Sequence, residues 1–221
     1  MISTIAYISC IVPICIVIIC TSWSMLAELA PACVPLIDGC VSISGAVRPK
    51  PVIYLFRSVM LPMSIVLFVF WWLNSARLSQ YLSGRDMLRR WILWLSLTGT
   101  VFLPLYVVFL GTNGPIYEFL RRLGIYVFFG ATGVAQLLTT FALLSLMRSN
   151  NQYEFPGSSP RIAIRLQFSI VLFMLLAGPL NLGLKQILEE YRSVENVIEW
   201  NFGLLMFCWY GLQGLVYKNT T

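Results

Sequence analysis

Six long apolar runs, separated by short polar segments, set the plan of this 221-residue chain. They cover about Ile2–Trp23, Val52–Leu73, Trp91–Leu110, Leu123–Met147, Ala163–Leu184 and Ile198–Tyr217. Each is close to the roughly 20 residues that a helix needs to cross bilayer hydrocarbon. Loops and open sheet edges cannot face lipid, so runs of this length read as helices. The alternation of a membrane barrel is absent. The pattern predicts an all-α fold, a polytopic bundle of six transmembrane helices forming a single domain over 1–221. Pro62 and Pro104 lie within the second and third spans, and Gly178-Pro179 interrupts the fifth.

The connections differ in character. The longest, 24–51, leads from the first span to the second. Asn74–Arg90 is rich in arginine. Gly111–Arg122 contains the turn signal Thr112-Asn-Gly-Pro115. Arg148–Arg161, with Phe155-Pro-Gly-Ser-Ser-Pro160, is the most loop-like stretch. Lys185–Glu195 is charged and is expected to continue as a helical turn. The first run lacks a basic leader, so it reads as an uncleaved helix. Leu29-Ala-Pro-Ala-Cys33 partly matches a lipoprotein cleavage site, but its proline and its distance from the apolar centre argue against that use.

Composition agrees with a bilayer protein. Hydrophobic residues make up 58% of the chain and charged residues 11%, against about 25% charged in soluble domains. Histidine is absent, which removes histidine acid–base catalysis, serine–histidine triads and histidine metal sites. No CxxC pair or acidic cluster replaces them, so no metal and no other cofactor is expected.

The net charge of +6 bears on orientation rather than on nucleic acid, which is not an expected partner. The side holding the amino terminus, the second and fourth connections and the tail gathers Arg77, Arg85, Arg89, Arg90, Arg148, Arg161, Arg165 and Lys218 against Asp86 and Glu154. On the other side basic and acidic residues balance. The compact, arginine-rich second connection places both termini in the cytoplasm. The first, third and fifth connections then face the exoplasm of a plasma, bacterial inner or internal membrane. Asn219-Thr-Thr221 matches a glycosylation acceptor that a cytoplasmic tail would leave silent.

Cys33 and Cys40 both lie in the first connection, where an oxidising compartment would let a disulfide persist. The alternative is two separate thiols. Cys10, Cys15, Cys20 and Cys208 lie in apolar runs and read as small packing residues. Arg57 sits near the exoplasmic start of the second span and Glu199 near that of the sixth. Opposite charges at one depth invite pairing, either with each other or with a lipid headgroup. The alternative is an arginine reaching for the interface and a solvated glutamate. Ser42, Ser44 and Arg48 suit a phosphate or a sugar hydroxyl, although Ser and Gly are also ordinary loop residues. A serine nucleophile would need a base, and only Asp38, Glu199 or a lysine is available.

Asn74, Gln136, Gln167, Asn181, Asn201 and Gln213 are expected to bond between helices. Gly130, Gly133, Gly203, Gly211 and Gly214 are expected to allow close helix contact. Trp71, Trp72, Trp91, Trp94, Trp200 and Trp209 fall near span ends, as an interfacial belt would.

Ser42-x-Ser44 is followed by Pro49, then by Tyr54, Phe56 and Arg57 entering the second span, while Glu199-Trp200 heads the last. This arrangement resembles a group of six-span proteins. It includes the damage-regulated autophagy modulators (DRAM), the post-GPI-attachment lipid-remodelling protein and the amino-terminal part of a yeast cell-wall biogenesis protein. Gly45 and Lys50 stand where loops of that group often carry acidic residues. The resemblance implies a protein that handles or organises membrane lipids.

The resulting expectation is a protein that binds, remodels or organises phospholipid or glycolipid. Its exoplasmic pocket would use Ser42, Ser44, Arg48, Arg57, Glu199 and Trp200 beneath a Cys33–Cys40 bridge. Membrane lipids are the expected partners. A non-catalytic subunit bound to another membrane protein is one alternative reading. A small transporter, whose fifth helix breaks at Gly178-Pro179, is the other.

Overall fold

The computed structural model describes residues 1–82, 84–148, 158–187 and 191–218. The described residues form eight helices: α1 (Ile2–Leu26), α2 (Pro35–Asp38), α3 (Ile43–Val47), α4 (Val52–Tyr81), α5 (Asp86–Phe109), α6 (Pro115–Arg148), α7 (Ser158–Ile187) and α8 (Tyr191–Lys218). Five of them, α1, α4, α5, α6 and α7, are long and apolar enough to cross a membrane. Such a set marks an integral membrane protein.

The long helices close into a ring in the order α1, α4, α5, α6, α7, α8, each packed on the next and α8 returning to α1. At one end lies the connection 27–51, folded around α2 and α3, which we call the lid. Lys218 and the start of α1 mark the far end.

Lipid tails are as apolar as leucine, so helix association in a membrane relies on close packing and on polar links. Most of those links converge on α8. Trp71 of α4 donates its indole N–H to the Tyr210 hydroxyl at 3.0 Å, and the Tyr217 hydroxyl bonds Asn74. Gln136 of α6 donates to the carbonyl of Met206 at 2.9 Å, and Trp209 donates to Thr140 at 2.9 Å. Gln167 of α7 donates to Gln213 at 2.7 Å, and Ser3 of α1 to the carbonyl of Gly214 at 2.9 Å. Trp209, Tyr210, Gln213 and Tyr217, polar-tipped residues within α8, are therefore among those that tie it to its neighbours. In the far half of the ring, Phe70, Trp71, Trp209 and Tyr210 fill the centre with edge-to-face and stacked rings.

Several sequence expectations need correction. Asn74–Tyr81 is the last part of α4 rather than a loop, and Pro115–Arg122 opens α6. Alpha-helical continuity holds through Gly178-Pro179, since α7 runs unbroken with Pro179 inside. Trp71, Trp200 and Trp209 are core residues, whereas Trp72, Trp91 and Trp94 are exposed as a belt requires. Cys20 is buried, but Cys15 is exposed. A Cβ on Gly203, Gly211 or Gly214 would press on Ile43, Cys10 or Tyr7, so these three do allow close approach; one on Gly130 would meet nothing. The stretch 149–157, Glu189, Glu190 and Asn219-Thr-Thr221 lie outside the described residues.

Candidate functional site: a lidded chamber at one end of the ring

The lid is built by its own chemistry. Pro35 starts α2, and the Asp38 carboxylate accepts the N–H of Val34 at 2.8 Å. Gly39 ends α2 in the left-handed region at φ +61°, and a Cβ there would collide with the carbonyl of Ser193. Only glycine lets the lid backbone lie this close to α8. Ser42 caps α3 by accepting the N–H of Gly45 at 3.0 Å. Cys33 and Cys40 form the disulfide, with Cα atoms 6.5 Å apart.

Three side chains of α8 hold the lid down. Asn196 donates to the carbonyl of Gly39 at 2.7 Å, Trp200 to that of Val41 at 2.8 Å, and Asn201 to that of Leu36 at 3.0 Å. On the other side Ser24 of α1 donates to the carbonyl of Ala46 at 2.6 Å. The carbonyls of Leu36, Gly39, Val41 and Ala46 thus keep partners, which helps an irregular segment to sit against a membrane bundle.

Beneath the lid the ring is hollow. An apolar chamber of about 150 Å³ lies between α1, α4, α5, α6 and α8, lined by residues such as Pro13, Met60, Leu103, Phe128 and Phe207. Leu36 and Ile43 of the lid roof it. Beside it, between α6, α7 and α8, lies a polar chamber of about 370 Å³. Arg121 and Arg122 line it from α6, Asn181 from α7, Glu195 and Glu199 from α8, and Ser44 from the lid. The two chambers share Tyr106, Ile125, Phe129 and Glu199. They are therefore neighbours with a common wall, one with charged residues around it and the other apolar.

The shared residues set its chemistry. The Glu199 carboxylate faces the backbone N–H groups of Ile43 and Ser44, so the lid helps to hold it in place. Tyr106 is 5% exposed, and among the described residues its hydroxyl has no hydrogen-bond partner. A buried hydroxyl left unbonded costs about 1–3 kcal/mol, which a polar group entering the chamber would recover. Among the described residues Arg121, mostly buried, makes a long, 3.7 Å contact with Glu118; Arg122 is exposed and bonds the same carboxylate at 2.5 Å.

The proposed residues sort into two groups. Ser44, Glu199 and Trp200 line the chambers. Ser42 is occupied as a helix cap, and Arg48, exposed at the end of α3, lines neither chamber. Arg57 does not meet Glu199. Its guanidinium donates to the carbonyls of Val107 at 3.1 Å, Val108 at 2.8 Å and Leu110 at 2.6 Å. Helix α5 ends there with no basic residue in its last turn. Its terminal carbonyls need donors, and Arg57 supplies them from α4.

Tyr106, Arg121, Asn181 and Glu195 were missed as site residues. A signal for two of them was present, because Arg121 and Glu195 flank the third and fifth connections at the same end as the lid. Tyr106 gives no such sign in a run that reads as uniform membrane helix.

The chain matches no protein-family model, no curated protein and no solved structure.

Proposed function

We propose that this chain is a six-span membrane protein that binds a phospholipid or glycolipid in the lidded chamber. Helix α8 serves as the sixth span. Both termini lie in the cytoplasm and the lid faces the exoplasm, the side on which a Cys33–Cys40 disulfide persists. The resemblance of the lid and the head of α8 to the DRAM-like group supports the same reading.

The observation that carries it is that the two chambers lie side by side and share Tyr106 and Glu199 in their walls. An amphiphile needs both halves in contact, a place for charge and a place for hydrocarbon. Two guanidiniums on α6 and two carboxylates on α8 give the polar half mixed charge. That pattern suits a zwitterionic headgroup, with phosphate toward Arg121 and ammonium toward Glu195 and Glu199. The function assigned is binding and organising of lipid.

The test is the phospholipid retained per protein after gentle extraction. Glu199→Gln removes a carboxylate but keeps the shape, and is expected to reduce retained phosphatidylethanolamine about tenfold with the fold intact. Equal retention by wild type and variant would count against the chamber as the binding site.

A further inference from the structure

The polar chamber has an apolar neighbour. On the outer side of Phe129 an apolar groove of about 240 Å³ runs between α6 and α7, along Gly130, Gly133 and Leu137. Phe129 and Phe202 line both this groove and the polar chamber, and Phe129 also lines the central apolar chamber. Their rings meet edge to face with centroids 5.5 Å apart. Phe129 therefore borders three spaces, one with charged residues in its wall and two that are apolar.

We infer that the ligand is a two-chain lipid seated astride Phe129, its headgroup in the polar chamber, one chain in the central chamber and the other in the α6–α7 groove. This rests on the lipid-binding reading above and specifies the class of lipid. Two observations carry it besides the shape. Among the described residues the Tyr106 hydroxyl and the Oδ1 of Asn181 are without partners and line the polar chamber from α5 and α7, the hydroxyl able to donate to a phosphate or ester oxygen and the amide oxygen able to accept from a headgroup ammonium. The groove is left open by sequence, since a Cβ on Gly130 would meet nothing within 4 Å. A cavity near 150 Å³ holds a benzene-sized group, so the central chamber takes only the first carbons of its chain. The rest can leave past Ile18, which lines that chamber and is 55% exposed. The route into the site is then sideways from the bilayer between α6 and α7, with the lid kept shut.

The test uses the purified full-length protein and two probes, dioleoyl-phosphatidylethanolamine and its single-chain lyso form, with bound lipid counted by native mass spectrometry. Gly130→Leu fills the groove without touching either chamber. It is expected to weaken the two-chain lipid at least about tenfold, because a displaced chain loses many buried methylenes. Binding of the lyso lipid should be unchanged, which also shows that the variant folds. Leu137→Trp, which blocks the groove lower down, should give the same split. Unchanged two-chain binding in both variants, or equal loss of both probes in a folded variant, overturns the two-chain seat while leaving lipid binding standing. Failure of the wild type to bind either probe overturns the lipid reading itself, and this inference with it.

Discussion

The indole N–H of Trp200 donates to the carbonyl of Val41 at 2.8 Å, fastening the middle of the lid to the first turns of α8. The same tryptophan lines the apolar chamber. One side chain therefore both closes the site and forms part of its wall.

Trp200→Phe keeps most of the ring and removes the donor. The Val41 carbonyl is then left without that partner, at a cost of about 1–3 kcal/mol. The expected result is a lower unfolding midpoint and faster amide exchange over residues 34–47. Unchanged lid exchange would show that Asn196 and Asn201 hold the lid without it.

Arg57 and Glu199 should separate by phenotype. Arg57→Met strips the carbonyls of Val107, Val108 and Leu110 of their charged donor. We expect a loss of about 2–4 kcal/mol in stability, with lipid retention per folded molecule unchanged. Glu199→Gln should do the reverse, as described above. Unfolding in denaturant combined with lipid quantification checks both, and a joint loss of binding would revive the direct pair.

The disulfide closes a short loop in the lid. By the chain-entropy account a loop of this size contributes about 2–3 kcal/mol. Cys40→Ser should lower the melting point by the amount seen when wild type is reduced, and reduction should then leave the variant unaffected. A reductant effect on Cys40→Ser would place the sensitive bond elsewhere.

Tyr106 offers an opposite sign for stability and for binding. Its hydroxyl is buried and has no partner among the described residues. Tyr106→Phe should leave the lipid-free protein equally stable or up to about 1–3 kcal/mol more so. Retained phosphatidylethanolamine should fall by about tenfold. Delipidated and lipid-loaded melts of the two proteins measure both effects, and an unfolding penalty without lipid would mean that the hydroxyl has a structural partner.

The bundle was legible because hydrocarbon imposes length and polarity on every span, so Ile2–Trp23 and its counterparts stand out without any knowledge of packing. The lid disulfide was legible because two cysteines fall in one connection. Depth was legible too, since Arg57 and Glu199 do share the lid end. Their partners were not, because a partner depends on helix rotation, which apolar runs with little amphipathic contrast do not encode. Arg57 turned to the end of α5 because that helix lacks its own terminal cation. Trp71, Trp200 and Trp209 look like belt residues by position and are core residues by rotation. Tyr106 is invisible for the same reason: a tyrosine in a membrane run is ordinary until helix rotation is seen to turn it into the wall between the two chambers.

The central claim is that lipid occupies the chamber beneath the lid. A density map of the full-length protein in phospholipid nanodiscs tests it most directly. The account predicts headgroup density between Arg121 and Glu195 and hydrocarbon density continuing past Tyr106 toward Phe128. A chamber filled by water or closed by its own side chains, in a map that resolves ordered lipids around the bundle, would contradict it.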